Sequence, residues 1–200
     1  MKIFCIGRNK TGTTSLQKEF KRLGYRVGHQ QKAEKLLKEY INEDFESIIQ
    51  YCKTADVFQD FPFSYPKTFQ HLDKAYPNSK FILTIRNSPE EWYDSVIRFH
   101  TKILGGSPTF DIMKNHEYIW KGWIWEAQKA IYNVDETDTH NKKELIKSYK
   151  EYNEFVLKYF KDKDNLLVLN LGEVGSYQKF LKFLNIQSPF SNFLHENRTK

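Results

Sequence analysis

Cross-links and metal ligands are what this sequence has least of. Its 200 residues include only two cysteines, Cys5 and Cys52, too few for a disulfide framework and without the paired spacing of a zinc site. A reduced protein follows, with Cys5 packed as a small apolar group. No apolar run approaches the length that crosses a bilayer, and no secretory leader precedes the first strand, so we expect no membrane span and a cytoplasmic location. Basic runs are missing as well. The net charge of +6 is spread along the chain, which favours anionic ligands without marking a nucleic-acid surface, and no nucleic-acid partner is expected. With neither repeats nor low-complexity segments, a single domain over residues 1–200 is the simplest organisation. Aromatic residues, by contrast, are plentiful at 16%, and a core rich in Phe and Tyr is expected.

The most informative stretch is Gly7-Arg8-Asn9-Lys10-Thr11-Gly12-Thr13-Thr14-Ser15. It follows a short apolar run, Ile3 to Ile6, typical of a buried parallel strand, and precedes a helical pattern from Thr13 to Leu23. A strand-loop-helix turn aims backbone N–H groups and the positive end of the helix dipole at one point, where an anion sits best. A nucleotide-triphosphate loop reads G-x-x-x-x-G-K-[ST]. Here the two glycines keep that spacing and Thr14 keeps the hydroxyl, but Thr13 occupies the lysine position and the lysine has moved ahead to Lys10. Three hydroxyls, Thr13, Thr14 and Ser15, open the helix as further donors.

Along the chain, Tyr25 to His29 reads as a strand, residues 33–40 and 44–51 as amphipathic helices, and Val57 to Asp60 as a strand stopped by Pro62. Residues 65–75 read as a helix. Lys80 to Arg86 is a second continuously apolar strand. Ser88, Pro89 and Glu91 then mark a helix start with a capping box, and the helix is expected to bury Trp92, Val96, Phe99 and Ile103. A mostly helical segment carries Trp120, Trp123 and Trp125, which would line a pocket or fill the core. Residues 143–160 form a long amphipathic helix, Asn165 to Leu171 a third strong strand, and Tyr177 to Leu184 a closing helix. Buried strands alternating with helices predict a three-layer α/β domain of the P-loop type, its mostly parallel central sheet covered by helices on both faces. In such sheets ligands lie at the carboxyl ends of the strands, where the opening turn, Asp60 and Arg86 all fall.

Lys10-Thr11-Gly12-Thr13-Thr14 resembles the phosphosulfate-binding loop of the sulfotransferases that use phosphoadenosine phosphosulfate (PAPS). The resemblance extends to Phe81-Ile82-Leu83-Thr84-Ile85-Arg86 followed by Pro89, Trp92 and Ser95, to the Tyr76-Pro77-Asn78-Ser79-Lys80 lead-in, to Asp60-Phe61-Pro62 and to Leu23-Gly24-Tyr25, and so spans roughly the first half of the chain. Residues from Leu166 to His195 match the family's end more loosely. The serine usually stands eight residues after the arginine, whereas Ser95 is nine after Arg86. The spacing from Ser88 to Ser95 matches the family, so the extra residue lies at Asn87-Ser88.

The resemblance implies transfer of a sulfuryl group from PAPS to a hydroxyl or amine, leaving phosphoadenosine phosphate, with no metal. Arg8, Asn9, Lys10, Thr11, Gly12, Thr13, Thr14 and Ser15 would cradle the 5′-phosphate, Lys10 would stabilise the leaving group, and Arg86 with Ser95 would hold the 3′-phosphate. Asp60 stands two residues before a proline, where cytosolic relatives carry a histidine, and is the preferred base, although it also suits a turn. His29 and His100 are reserves. As in some relatives, Arg198 or Lys200 in the basic end of the chain would be a further phosphate contact, the alternative being a frayed tail. The acceptor would be a small molecule, a sugar or a lipid. A P-loop kinase, disfavoured by Thr13 in place of the lysine, and a non-catalytic nucleotide-binding protein are the alternatives.

Overall fold

Each strand is short, and β1 (Ile3–Cys5), β2 (Val57–Gln59) and most of β3 (Lys80–Thr84) are shielded from water on both faces. That is why the sequence shows unbroken apolar runs there rather than alternation, whereas Val168 of β4 (Leu166–Leu169) is exposed. A computed structural model describes residues 1–194, so Arg198 and Lys200 lie outside the described residues. Four parallel strands, β1 (Ile3–Cys5), β2 (Val57–Gln59), β3 (Lys80–Thr84) and β4 (Leu166–Leu169), form one sheet in the order β2-β1-β3-β4. Ile3 lies opposite both Val57 and Lys80, and Phe81 opposite Leu166. Parallel neighbours require crossover connections, supplied by helices α1 (Thr13–Arg22), α2 (Gln30–Glu34), α3 (Leu37–Ile41), α4 (Phe45–Tyr51), α5 (Thr68–Ala75), α6 (Pro89–Leu104), α7 (Phe110–Asn115), α8 (Trp123–Lys129) and α9 (Lys142–Tyr159), with α10 (Ser176–Leu184) closing the fold. The protein is therefore α/β, with an all-parallel sheet flanked by helices.

The chain divides into two compact units, residues 1–85 with 158–200, and residues 86–157. In the first, alternate strand residues serve opposite faces. Ile3, Cys5, Val57, Ile82 and Leu169 pack against Leu16 and Phe20 of α1 and Tyr177, Phe180 and Leu184 of α10. Phe4, Phe58 and Phe81 face the other way, where Phe4 meets Phe58, Phe63, Tyr76 and Phe81 at centroid separations of 5.4–6.2 Å and Phe81 meets Phe160 at 4.8 Å. Each buried ring contributes on the order of 2–3 kcal/mol. Glu19 is wholly buried in this unit, yet saturated: it accepts from Arg22, from the Tyr177 hydroxyl at 2.7 Å and from the Leu194 N–H.

The second unit packs Trp92 and Val96 of α6 against Tyr132 and against Leu145 and Tyr149 of α9, with Trp92 stacked on Tyr149 at 4.5 Å. The expected stripe on α6 is corrected here. Phe99 and Ile103 stay about one-third exposed, and Ser95 and His100 are buried in their place. Burial thus follows Trp92, Val96 and His100, at a strict four-residue step that drifts around the helix. Trp123 and Trp125 are buried, Trp125 edge-on to Phe110 at 5.1 Å.

Two further expectations change. Tyr25 to His29 makes only an isolated bridge, Val27 to Val57, with the Gly28 N–H donating to the Val57 carbonyl at 2.8 Å and the Asp56 N–H to the Arg26 carbonyl at 2.8 Å; a Cβ on Gly28 would sit 2.7 Å from the Phe58 ring. The helix expected over residues 33–40 is two short ones, α2 and α3. Among the described residues no helix is long and apolar enough to cross a membrane.

Candidate active site

In the first unit the loop after β1 runs beneath the carboxyl end of β3 at unusually short range. A Cβ at Gly7 would lie 2.0 Å from Thr84 Oγ1 and 2.5–2.6 Å from the Thr84 backbone, so only glycine lets the two segments pass. Thr11 fastens the crossing: its hydroxyl donates to the Arg8 carbonyl at 2.5 Å and receives the Thr84 hydroxyl at 2.6 Å. Arg8 is buried, with its guanidinium on the Ser64 carbonyl at 3.4 Å.

The loop then opens α1. Gly12 is its N-cap, left-handed at φ 107°, with no side chain to satisfy the first-turn amides, and no acidic residue stands in that turn. The N–H groups of an uncapped helix start and its positive dipole end form an anion site. Leu171, just past β4, supports Gly12 from below, within 3.0 Å of where a Cβ would be. Thr13 is buried, Thr14 exposed and Ser15 buried.

Asp60 follows directly on β2 at the same end of the sheet. The Thr13 hydroxyl donates to its Oδ2 at 3.1 Å and the Phe61 N–H to its Oδ1 at 3.0 Å. Burial pushes its carboxyl above the usual range, while those two hydrogen bonds and the nearby Lys10 charge pull in the opposite direction. Lys10 and Asp60 both occupy left-handed backbone, at φ 67° and 61°, which costs a non-glycine residue about 1 kcal/mol and is found where other contacts impose it. Glu43, Lys67 and Asn185 share that conformation away from this loop.

A residue that sequence reading missed supports Asp60. Gln30, the first residue of α2, donates from Nε2 to the Phe61 carbonyl at 3.4 Å and to Glu34 at 3.2 Å, and its Oε1 accepts from Gln59 at 3.0 Å. Starting the helix at Ala33 hid Gln30 in a loop, whereas reading His29 as its N-cap would have placed it. Phe61 and Tyr65 stand edge-on at 4.6 Å and Tyr40 and Tyr65 at 5.1 Å, an aromatic wall beside the Asp60 turn.

In the second unit, Ser88 caps α6 by accepting from the Glu91 N–H at 3.0 Å. The Glu91 carboxylate does not complete the capping box, because it takes the Arg86 guanidinium at 3.1 Å and the Asn87 amide at 2.7 Å. Arg86 also donates its backbone N–H to the Tyr149 hydroxyl at 3.1 Å, and Ser95 is buried on α6. The two reserve histidines part company. His29 is exposed at the start of α2, and its carbonyl accepts from Tyr51. His100 is buried in the second unit against His140, ring nitrogen to ring nitrogen at 2.6 Å; His140 lies in a polar connection that no periodicity flags. Among the described residues no group of three or more His, Cys, Asp or Glu has a metal-ligating arrangement.

Set beside known proteins, residues 2–200 match a family model described as a sulfotransferase domain. No curated protein matches the chain.

Proposed function

Because this chain belongs to the sulfotransferase domain family, we propose that it moves a sulfuryl group from PAPS directly to a hydroxyl or amine of a small-molecule, sugar or lipid acceptor. The observation that carries the donor assignment is the uncapped, acid-free start of α1, reached through a loop held against β3 at Gly7 and carrying Lys10. Those residues fit a 5′-phosphosulfate: N–H groups in the first turn of α1, the hydroxyls of Thr13, Thr14 and Ser15, and one ammonium. Bound PAPS would supply an activated sulfuryl group on a phosphate leaving group. Lys10 offsets the charge that develops on the bridging oxygen, and a preorganised cation spends nothing on reorganisation at that moment. Asp60 takes the acceptor proton, and burial brings its proton affinity closer to what a base at neutral pH needs. Arg86 and Ser95 hold the 3′-phosphate; the Glu91 carboxylate orients the guanidinium and competes for it.

Calorimetric titration with phosphoadenosine phosphate, set against ATP with magnesium, tests the assignment. The former should bind, and Lys10→Ala should weaken it by roughly ten- to a hundredfold, the worth of a charge-assisted hydrogen bond. Preference for ATP with magnesium would overturn the reading in favour of a kinase.

A further inference from the structure

The Thr13 hydroxyl carries one proton, and that proton is directed at Asp60 Oδ2. Thr13 is also the first residue of α1, at the mouth of the anion site. A phosphate oxygen arriving there competes for the same proton, and it neutralises Lys10, whose charge also reaches Asp60.

We propose that Thr13 is a positioning residue that couples phosphate arrival at the start of α1 to a gain in the proton affinity of Asp60, so that the base is strengthened only when the donor nucleotide is in place. This rests on the nucleotide assignment made above. Three changes act in one direction. Asp60 loses a hydrogen bond that favours its charged form, loses the benefit of Lys10, and gains a neighbouring negative charge. The Phe61 N–H, a backbone group fixed by the turn, remains. Where the Asp60 carboxylate titrates, the coupling appears as a proton taken from solvent; where it is ionised, it is a stronger base for the acceptor hydroxyl.

The other charged and titratable groups around the Asp60 turn are Arg8, held to the Ser64 carbonyl, Glu34, reached through Gln30, and the Tyr40 phenol, which burial pushes up to about 12. Arg8 is held on the Ser64 carbonyl and Glu34 on Gln30, whereas Asp60 accepts directly from the first residue of α1. The nucleotide's own phosphate has its second ionisation at roughly 6, and binding beside cations releases its proton, the opposite sign.

The experiment is titration calorimetry of phosphoadenosine phosphate in pairs of buffers with different ionisation heats, which yields protons exchanged per nucleotide. Relative to Asp60→Asn, the wild-type protein should take up an added fraction of a proton over the pH range where Asp60 titrates, and its affinity should rise there as pH falls by up to about tenfold per pH unit. Asparagine accepts left-handed backbone readily, so that reference keeps the turn. Thr13→Val, nearly isosteric, should lose the part of the extra uptake that runs through the hydroxyl, leaving the part due to Lys10 and the phosphate charge, and Thr13→Ser should restore it. Equal exchange in wild type and Asp60→Asn, or undiminished uptake in Thr13→Val, would overturn the coupling and leave the nucleotide assignment standing. Failure of the wild-type protein to bind phosphoadenosine phosphate would remove both.

Discussion

Replacing Gly7 by alanine tests the crossing of the loop after β1 under β3. The new methyl group would fall 2.0 Å from Thr84 Oγ1 and 2.5 and 2.6 Å from the Thr84 carbonyl oxygen and amide nitrogen. All three are well inside van der Waals contact, and two belong to the backbone of a central strand that cannot rotate away. Forced overpacking of this kind costs about 1–3 kcal/mol. Separating the segments also breaks the paired hydroxyls of Thr11 and Thr84, for about 1 kcal/mol more. In a chain of this size that should lower Tm by roughly 5–15 °C in a calorimetric scan. The same displacement moves Lys10 and the α1 start, so affinity for phosphoadenosine phosphate should fall with it. Truncating the obstacle in the double variant Gly7→Ala with Thr84→Ala removes only the side-chain contact, and the backbone contacts predict that Tm is not restored. A single variant that melts within about 2 °C of wild type, or a full rescue by Thr84→Ala, would refute the reasoning.

Two further outcomes follow from buried titratable groups. Burial lowers the His140 pKa from 6.5 to about 4, so the unfolded chain binds a proton there before the folded one does. This contribution is complete above about pH 6.5 and is lost as pH falls toward 4, on the order of 3 kcal/mol in all; urea midpoints followed by far-ultraviolet circular dichroism should show the loss, and His140→Asn should flatten it. Cys5 and Cys52 are both buried, and desolvation pushes both thiols up, so a thiol reagent should modify neither in the native protein and both in denaturant. Rapid labelling of either under native conditions would contradict that burial.

The parts of the fold that could be read in advance are those where one physical requirement acts alone. Ile3 to Cys5 and Phe81 to Thr84 are buried on both faces, and continuous apolar runs announce such strands. Ser88 and Pro89 mark the start of α6 because a cap is a local matter. Legibility ended where two requirements competed. The Glu91 carboxylate could close the capping box or pair with Arg86, and it does the latter. Tyr25 to His29 has strand composition, but it pairs with β2 only at the Val27–Val57 bridge. For the candidate site, the loop and Asp60 could be located by spacing from strand ends, and the structure brings Thr13 and Asp60 into contact from 47 positions apart. Gln30 and His140 stayed hidden because each acts through a partner far away in the chain, Gln59 and Phe61 for the one, His100 for the other.

The split of the chain at Arg86 and Leu157 also sorts its chromophores. All four tryptophans, Trp92, Trp120, Trp123 and Trp125, fall in the second unit, and the unit that holds the sheet has none. Intrinsic tryptophan emission is therefore a label built into one unit, while far-ultraviolet dichroism, to which the helices of both units contribute, reports on the whole chain. If the two signals follow one curve in denaturant, the chain melts as a single cooperative body. If they separate, residues 86–157 melt apart from the rest of the chain, and the gap shows it with no foreign dye attached.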